Sequence, residues 1–364
     1  MKVAIVAIRY DNKGGSERRT CHLARGLVRE GHQVEIFAAS IEDVDIPAVV
    51  NKVGMSSGPS FMKVLSFTGN VLDMLSRRTD IDIVHSQIRP FTDGVVTVGG
   101  GCHAEYLDRM GGRFSWLNPL HAVVLRMEKE RYRPGGCRAV ITNSEFSRQG
   151  ILRHYPIPPE SVHVAYNGVD SHRFSPERSR VNRTELRQKY GLGDGPAALF
   201  LGSGFERKGL ATAIEAVAKV DGLKLLVAGK DDAGPYIRLA RRLGAGDRVV
   251  FAGETAAPEH FYGAADIYIL PTKYDPFSNA AIEAMSCGLP VVTTTQNGVA
   301  EVMERGVDGF VVDSPDDADG FAEALGRLMD PGVRQDIGGR ARAKASGFTW
   351  DRTLEKTLEV YRKA

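Results

Sequence analysis

Short runs of apolar, often β-branched residues recur along the chain, separated by segments whose apolar positions follow helical spacing. The runs are continuous rather than alternating, which is typical of strands buried on both faces of a parallel sheet. The chain is therefore expected to contain parallel sheets covered by helices. The predicted strands span residues 3–8, 34–39, 81–84, 95–98, 139–142, 162–165, 197–201, 224–228, 249–251, 267–270, 290–293 and 310–312.

The segments between these runs have the pattern of amphipathic helices. In residues 17–30, Leu23 and Leu27 lie one helical turn apart on the same side. Gly31 follows as a signal that ends the helix. Residues 210–220 show a similar pattern between two predicted strands. Alternating strands and helices predict right-handed βαβ units, so the fold class is α/β with Rossmann-like, doubly wound parallel sheets.

The alternation pauses between Asp170 and Pro196, where the chain is polar and charged. A length of 364 residues is enough for about two domains. We therefore predict an N-terminal Rossmann-like domain over residues 1–170, a C-terminal one over residues 171–345, and a final helix in residues 346–364 that crosses back to the first domain. Because such sheets bind ligands beyond the carboxyl ends of their strands, both domains should present ligand-binding loops to a cleft between them.

Composition and charge narrow the class of protein. Hydrophobic residues make up 43% and charged residues 25%, as in an ordinary soluble globular protein. The net charge is only +2, so the chain as a whole has no field that favours nucleic acid as a partner. The four cysteines are widely separated and predict reduced thiols rather than a metal site or a disulfide framework. Without a secretory signal pattern or an apolar run of about 18 residues, we expect a cytoplasmic protein.

A glycine-containing loop follows the first predicted strand. Gly14 and Gly15 stand just before the helix predicted over residues 17–30. Backbone amides and the helix dipole at such a position can hold an anion. A tight turn without any ligand explains the same residues equally well, so both interpretations stay open.

A second loop of this kind opens the C-terminal domain. Gly202 and Gly204 follow a predicted strand and precede Arg207 and Lys208. Two cations at a strand end can neutralise a diphosphate, because guanidinium and ammonium groups both donate charge-assisted hydrogen bonds to phosphate. The glycines favour this interpretation over a solvated charge pair.

The most informative stretch is residues 270–290, where a strand, a loop and a helix over residues 278–287 are predicted in turn. The amides of a helix start at Ser278 suit phosphate oxygens. Glu283, inside the helix, offers a carboxylate that can accept two hydrogen bonds from a ribose diol, and Asp275 in the loop suits sugar hydroxyls. Taken alone, a loop-supporting Asp275 and a surface Glu283 would explain these residues as well.

The stretch DPFSNAAIEAMSCGLPVV resembles the nucleotide-sugar signature of the family-four retaining glycosyltransferases, E-P-F-G-x-x-x-x-E-A-M-A-x-G-x-P-V-V. Asp275 stands where the first glutamate is usual, and Ser278 stands where the glycine is usual. The segment GSGFERKG resembles the pyrophosphate-binding stretch of that family, and further motifs follow in the family's order along nearly the whole chain. Within the family, the chain is more similar to the lipopolysaccharide-core glucosyltransferases that add glucose to heptose.

The resemblance implies a fold, a donor and a stereochemical course. The fold would be GT-B, with two Rossmann-like domains, and the donor would be a UDP-sugar whose anomeric configuration is retained. No metal and no other cofactor would be required. In this interpretation Arg207 and Lys208 bind the diphosphate, and Glu283 binds the ribose.

The resemblance also implies contacts around the reacting sugar. The donor sugar and its phosphate would contact Asp275 and the backbone amides of Phe277, Ser278 and Asn279. Gly14 and Gly15 would close over the donor from the other domain. His103 and Glu105 would lie at a strand end near the reacting centre, and they are the candidate catalytic residues together with Asp275.

The chemistry of such a site agrees with these residue types. Breaking a sugar–phosphate bond leaves positive charge on the sugar and negative charge on the leaving UDP, which Arg207, Lys208 and a helix start can stabilise without a metal. The triplet Asp80-Ile81-Asp82 begins a predicted strand and therefore lies at the wrong end for a metal site. The resemblance implies attack of the acceptor on the same face within an ion pair.

A basic segment with aromatic residues lies in the N-terminal half. Residues 106–138 carry seven Arg or Lys against three acidic residues, a net charge of +4, and include Phe114 and Trp116. Such a segment suits an anionic membrane surface, although a core-facing helix with a solvated basic side explains it equally. A lipid-linked saccharide acceptor, which the resemblance implies, favours peripheral association with the inner face of the cytoplasmic membrane.

The leading hypothesis is a retaining hexosyltransferase that moves glucose from UDP-glucose to a lipopolysaccharide-core acceptor. The same fold acting on another polysaccharide or glycolipid acceptor is an alternative. A nicotinamide-dependent dehydrogenase would use Gly202 and Gly204 with Asp231 or Asp232, but Arg207 stands at the third glycine position of that fingerprint. A non-catalytic sugar-binding protein is a further alternative, which an assay of donor hydrolysis would distinguish.

Overall fold

The chain divides into two compact units. The computed structural model describes residues 1–11, 14–42, 45–88, 94–112 and 117–364. Unit 1 comprises Met1–Gly168 together with Trp350–Ala364, and unit 2 comprises Val169–Thr349. The C-terminal segment of the chain therefore folds with its N-terminal part.

Unit 1 is built on one parallel sheet. Its strands are β1 (Lys2–Tyr10), β2 (Gln33–Ile41), β3 (Val49–Lys52), β4 (Ile83–Ser86), β5 (Val95–Val98), β6 (Ala139–Thr142) and β7 (Val162–Val164). The seven strands have the spatial order β3-β2-β1-β4-β5-β6-β7. The helices in this part of the chain are α1 (Gly15–Arg29), α2 (Ser60–Ser76), α3 (His103–Met110), α4 (Pro119–Arg131) and α5 (Glu145–His154).

Unit 2 repeats the architecture with six strands. They are β8 (Ala197–Leu201), β9 (Lys224–Ala228), β10 (Val249–Gly253), β11 (Ile267–Leu270), β12 (Val291–Thr294) and β13 (Phe310–Val312), in the parallel order β10-β9-β8-β11-β12-β13. The helices are α6 (Pro176–Ser179), α7 (Arg183–Lys189), α8 (Leu210–Ala218), α9 (Gly234–Arg242), α10 (Pro258–Ala264), α11 (Asn279–Ser286), α12 (Ala318–Arg327) and α13 (Pro331–Ala345). The last helix, α14 (Trp350–Tyr361), belongs to unit 1.

The predicted fold class is confirmed, because both sheets are parallel and carry helices between their strands. Each predicted strand overlaps an observed strand, and the ends differ by no more than two residues. The strand β3 was not predicted. It lies at the edge of its sheet, pairs with β2, and leaves Val49 and Val50 exposed, so it lacks the buried apolar pattern by which the other strands are recognised.

Helix α14 packs on the first helix of unit 1. A Cβ atom at Gly26 of α1 would lie 2.7 Å from Leu354 Cδ2, so the absence of a side chain at Gly26 permits the close approach of the two helices. The Thr353 hydroxyl donates to the carbonyl oxygen of Tyr166 over 2.7 Å. Leu354 and Leu358 join the apolar core that α1 forms with the sheet.

A buried histidine links α14 to the centre of the sheet in unit 1. His85 of β4 lies with Nδ1 2.5 Å from the Tyr361 hydroxyl and Nε2 2.7 Å from the Thr97 hydroxyl. Burial, with a smaller contribution from the positive charge of Arg19, lowers the pKa of His85 to about 3. The imidazole is therefore neutral in the folded protein at neutral pH.

We expect His85 to make the protein sensitive to mild acid. The unfolded chain protonates this imidazole near its ordinary pKa of about 6.5, whereas the folded chain does not until about pH 3, so acid favours the unfolded state. Between pH 7 and pH 5, this difference lowers the free energy of unfolding by about 2 kcal/mol. In His85→Gln that fall should be smaller by the same amount, as measured by urea unfolding at both pH values.

The matched control is His172→Gln, which removes an exposed histidine of unit 2. This variant should keep the full fall in stability between the two pH values. A His85→Gln protein that loses as much stability as the wild type would contradict the assignment.

Candidate active site

Two loops meet at the carboxyl edge of the sheet in unit 2. Strands β8 and β11 are neighbours, and the loops that follow them are joined through the backbone of Arg207. Its carbonyl oxygen accepts a hydrogen bond from the Lys273 amide over 2.8 Å and another from the Thr272 hydroxyl over 3.1 Å. The two loops singled out by sequence are therefore held together at one edge.

Glycines permit this close approach. Gly209 has a φ of +75°, and a Cβ atom there would lie 1.9 Å from the carbonyl oxygen of Pro271, so a side chain would push the loops apart. Gly202 has a φ of +134°, and a Cβ atom there would lie 2.9 Å from Lys208 Nζ. The glycines of this loop thus make room for the neighbouring loop and for the lysine.

The predicted cations and the loop carboxylate lie side by side. Lys208 Nζ is 3.4 Å from Asp275 Oδ2, and Arg207 Nη1 is 3.8 Å from the same oxygen. Arg207 Nη1 also donates to the Tyr274 carbonyl oxygen over 2.6 Å. Lys208 is 9% exposed and Asp275 8% exposed, so their charges interact in a largely water-excluded setting. The arrangement offers two cations to an anion and one carboxylate to hydroxyl groups.

The start of α11 is organised by hydrogen bonds within the protein. Ser278 caps the helix, its hydroxyl accepting from the Ala281 amide over 3.3 Å, and Asn279 is the first helical residue. The Ser278 amide donates to Asn297 Oδ1 over 3.2 Å. A ligand contact to that amide, as predicted from the sequence, would therefore compete with Asn297. Phe277 is buried in unit 2, with its ring centroid 6.4 Å from that of Phe348.

Glu283 is buried in α11 rather than placed on the surface. Its Oε2 accepts a hydrogen bond from the Tyr262 hydroxyl over 2.9 Å. Burial, together with the negative charge of Glu283, raises the pKa of Tyr262 well above its ordinary value, so the phenol stays a hydrogen-bond donor. Tyr262 thereby fixes the orientation of the carboxylate. No sequence pattern indicated this partner, since Tyr262 belongs to a different helix, α10.

Asn297 is a positioning residue that the sequence analysis missed. Its Oδ1 accepts from the amides of Ser278 and Val299, both over 3.2 Å, and its Nδ2 donates to the Thr293 hydroxyl over 3.0 Å. Its backbone forms a bridge with that of Asp275. One side chain thus ties the loop after β12 to the start of α11. The Asn297-Gly298 pair, three residues after the end of β12, was the available signal.

Asp231, after β9, accepts hydrogen bonds from backbone amides of the loop that contains Gly202 and Gly204. Its Oδ2 accepts from the amides of Gly204 and Phe205, each over 2.6 Å. In a dinucleotide site those amides would face a pyrophosphate, and an acidic residue at this strand end would hold a ribose. Here the Asp231 carboxylate binds those amides itself, so neither is placed to hold a dinucleotide. This arrangement argues against the dehydrogenase alternative.

The glycines predicted to close over the donor lie at the start of α1 in unit 1. Gly14 is the N-terminal cap, with φ −114°, and Gly15 is the first helical residue. A Cβ atom at Gly14 would lie 2.1 Å from Glu17 Oε2. The preceding residues 12–13 are outside the described residues, so the structure describes this loop from Gly14 onward.

His103 and Glu105 are both buried in α3 of unit 1. The His103 amide donates to Glu128 Oε1 over 2.8 Å, and His103 Nε2 lies 3.1 Å from His121 Nδ1.

The carboxylate of Glu105 is engaged by three basic side chains, Arg109 at 2.7 Å, Arg153 at 2.7 Å and His154 at 2.9 Å. Burial opposes the ionised form, but these partners lower the pKa of Glu105 below its ordinary value. The catalytic role predicted for Glu105 stays a prediction, and its geometry favours a structural role.

Only some of the basic side chains in residues 106–138 are exposed to solvent. Arg131 is fully buried and donates to the Ile88 carbonyl oxygen over 3.1 Å, so it is not part of a basic surface. Arg126 and Lys129 are exposed on α4. Phe114 and Trp116, which were predicted to sit in a membrane interface, lie outside the described residues.

The described residues contain neither a group of metal ligands nor a membrane-spanning helix. In that part of the chain, no three His, Cys, Asp or Glu side chains are grouped as they would be around a metal ion. No helix there is both long and apolar enough to cross a membrane.

Comparisons with known proteins agree with this architecture. Residues 182–344 match the family model described as glycosyl transferases group 1, and residues 13–173 match the model described as glycosyltransferase family 4. A D-inositol 3-phosphate glycosyltransferase of Salinispora arenicola is 31% identical over 403 aligned residues, which cover 96% of this chain and 87% of that protein.

Solved structures with the same fold include WaaG, a glycosyltransferase involved in lipopolysaccharide biosynthesis, with a TM-score of 0.84 and 23% identity over 98% of this chain and 99% of that one. Anabaena Alr3699/HepE, in complex with UDP-glucose, has a TM-score of 0.76 and 20% identity, with all of both chains covered. The chain therefore belongs to the group 1 glycosyltransferases, and its two Rossmann-like units are those of the GT-B fold.

Proposed function

We propose that the protein is a retaining glycosyltransferase that transfers glucose from UDP-glucose to a lipopolysaccharide-core or similar lipid-linked saccharide. The observation that carries the proposal is the buried pair of Lys208 and Asp275 beside Arg207 at the strand ends of unit 2. The UDP-glucose bound by Anabaena HepE and the biosynthetic role of WaaG support the donor and the acceptor class. A thermal-shift panel of nucleotide sugars, followed by a transfer assay, tests the donor, because a ligand of the native state raises the melting temperature.

The diphosphate is the part of the donor that the site suits best. Arg207 and Lys208 supply two cations, and the start of α11 adds the positive end of a helix dipole. These groups stabilise the negative charge that grows on the leaving UDP. Glu283, oriented by Tyr262, accepts from the ribose hydroxyls, and Asp275 accepts from hydroxyls of the sugar.

The transfer step needs no nucleophile from the enzyme. The bond between the anomeric carbon and the phosphate oxygen breaks, and its electron pair stays on the phosphate. The acceptor hydroxyl attacks the same face of the sugar, and its proton passes to the phosphate oxygen. Asp275 is paired with Lys208, and Glu283 accepts from Tyr262, so both carboxylates act as donor-binding groups in this scheme.

Unit 1 supplies the remaining groups of the proposal. Gly14 and Gly15 at the start of α1 are proposed donor contacts on the strength of the family resemblance, and the Glu17 carboxylate fills the space beside Gly14, 2.1 Å from where a Cβ atom would lie. His103 remains a candidate catalytic residue. The exposed cations of α4, Arg126 and Lys129, face anionic lipid at the cytoplasmic membrane in this proposal.

A second acceptor class is inositol phosphate. The relative from Salinispora arenicola, with 31% identity along nearly the whole chain, is named for D-inositol 3-phosphate. Parallel transfer assays with a heptose-containing core saccharide and with inositol 3-phosphate separate the two acceptors, because each assay follows a different product.

Lys208→Ala should weaken binding of UDP by roughly 1.5–3 kcal/mol, because a charge-assisted hydrogen bond to the diphosphate is lost. Isothermal calorimetry with UDP measures the change. Lys219→Ala is the matched control, since Lys219 is an exposed lysine at the end of α8 that pairs with Asp319. Unchanged UDP affinity in Lys208→Ala would remove Lys208 from the site.

Glu283→Gln should weaken UDP more than it weakens 2′,3′-dideoxy-UDP. The substitution keeps the shape of the side chain but loses the charge and one hydrogen-bond acceptor, and only UDP has ribose hydroxyls for it. Tyr262→Phe should show the same preference in weaker form, because it removes the donor that orients the carboxylate. Equal losses for both nucleotides would show that Glu283 does not bind the ribose.

Transfer activity should persist in excess chelator, because Arg207, Lys208 and the start of α11 neutralise the diphosphate in place of a divalent ion. A turnover assay with EDTA, with and without added magnesium, measures this directly. Activity that disappears with EDTA and returns with magnesium would overturn the metal-independent step.

A further inference from the structure

Arg19 is a buried cation of unit 1 that the proposed transfer reaction does not use. It lies in the second turn of α1, and only 4% of the residue is exposed. Burial lowers the pKa of Arg19 to about 10, so the guanidinium still carries its charge at neutral pH. A charge that folding removes from water destabilises the protein unless a partner of opposite sign compensates it.

The protein supplies Arg19 with a neutral partner and no carboxylate. Its Nη1 donates to the side-chain oxygen of Asn167 over 2.6 Å. In the part of the chain that the structure describes, no other group accepts a hydrogen bond from this guanidinium, and no acidic side chain forms an ion pair with it. A guanidinium has five N–H donors, so one bond to an amide oxygen leaves both its charge and most of its donors uncompensated.

Arg187 of unit 2 shows how this chain compensates a buried guanidinium elsewhere. Arg187 is 8% exposed, and its Nη1 lies 3.1 Å from Asp266 Oδ2. It also donates to the carbonyl oxygens of Gly193 over 2.9 Å and Ala264 over 2.8 Å. Arg19 is buried to a similar extent without such compensation, which indicates that its counter-charge is not part of the protein.

Arg19 borders a small cavity inside unit 1, between α1, α14 and the strands β4 and β5. The cavity volume is about 10 Å³, roughly the room that one water molecule needs. The rest of its lining consists of two leucines, Trp350, His85 and the threonines Thr97, Thr353 and Thr357. None of these described residues is acidic, and His85 is neutral at neutral pH. Arg19 therefore sets the electrostatic character of the cavity.

The size and the charge of the cavity together restrict its occupant. A phosphate, sulfate or carboxylate group is larger than one water molecule, so this cavity excludes the anionic groups of a donor or an acceptor. A water molecule fits and can accept a hydrogen bond from Arg19, but it is neutral and leaves the buried charge uncompensated. A monatomic anion satisfies both requirements.

We propose that the cavity beside Arg19 is a binding site for a chloride ion. The guanidinium donates charge-assisted hydrogen bonds to the ion, and the two opposite charges attract strongly because the surroundings are largely free of water. The site lies wholly in unit 1. It therefore goes beyond the proposed transfer reaction and does not depend on the donor site in unit 2.

The bound ion stabilises the packing of α14 on the rest of unit 1. Trp350, Thr353 and Thr357 line the cavity from α14, whereas Arg19 lines it from α1. The chain reaches α14 only after it has completed unit 2, so this helix is held in unit 1 by its packing contacts. A ligand that binds the folded state and not the unfolded chain raises the stability of that packing.

Thermal unfolding of the wild type in sodium chloride and in sodium gluconate tests the proposal. Equal ionic strength keeps the screening of surface charges the same, and gluconate is too large for the cavity. The melting temperature should be higher in chloride by about 2–4 °C. The difference should level off with increasing chloride, because a single site saturates.

Arg19→Met should abolish the difference between the two salts, because it replaces the guanidinium by apolar atoms. The matched control is Arg29→Gln, which removes an exposed arginine of the same helix that pairs with Asp351 of α14. This control should keep the full chloride effect. It therefore separates an ion bound at Arg19 from a general effect of salt on the contact between α1 and α14.

A crystal grown in sodium bromide gives a second readout that needs no variant. Bromide replaces chloride in such sites and scatters anomalously, so an anomalous peak should lie in the cavity, in contact with the Arg19 guanidinium.

Three outcomes would overturn the inference. One is an equal melting temperature of the wild type in chloride and in gluconate. Another is a chloride effect that Arg19→Met retains in full. The third is a bromide crystal in which the cavity holds density without an anomalous peak, which would make the occupant a water molecule. If Arg19→Met fails to fold, the wild-type salt comparison and the bromide crystal still decide.

Discussion

The contact between two strand-end loops in unit 2 is the constraint on which the candidate site depends. Parallel pairing brings the carboxyl ends of β8 and β11 to one edge, but the loops join because the Arg207 carbonyl oxygen accepts two hydrogen bonds from the opposite loop. Gly209 permits this approach, since a Cβ atom there would overlap the Pro271 carbonyl. Lys208 and Asp275, which are far apart in sequence, meet as a consequence.

The sequence predicted the parallel sheets and most of their strands, because those strands are buried on both faces and therefore appear as continuous apolar runs. It missed β3, a short edge strand in which Val49, Val50 and Lys52 are all exposed, so that it has no buried apolar run. It also did not indicate that α2 would be apolar on both sides. A helix stripe at positions 62, 65 and 72 can be assigned to core or to surface only when the packing of Phe67 and Val71 is known.

The candidate site, too, could be predicted only in part from the sequence. The cations and carboxylates stand in ordered motifs, so Arg207, Lys208, Asp275 and Glu283 could be named from the sequence. Their partners could not, because a hydrogen bond such as that from Tyr262 to Glu283 joins helices whose spacing only the tertiary fold sets. The burial of Arg131 could not be predicted from the sequence for a related reason. Its neighbours on α4 are exposed cations, and composition alone assigns all of them to one basic surface.

The candidate site carries a local cost that its own ion pair offsets. A buried lysine or aspartate alone would be strongly unfavourable, so Lys208 and Asp275 are stable because each compensates the other. An ammonium has three donors, and the contact with Asp275 uses one of them. The cations are thus arranged by folding, and the diphosphate proposed to bind there would not have to order them.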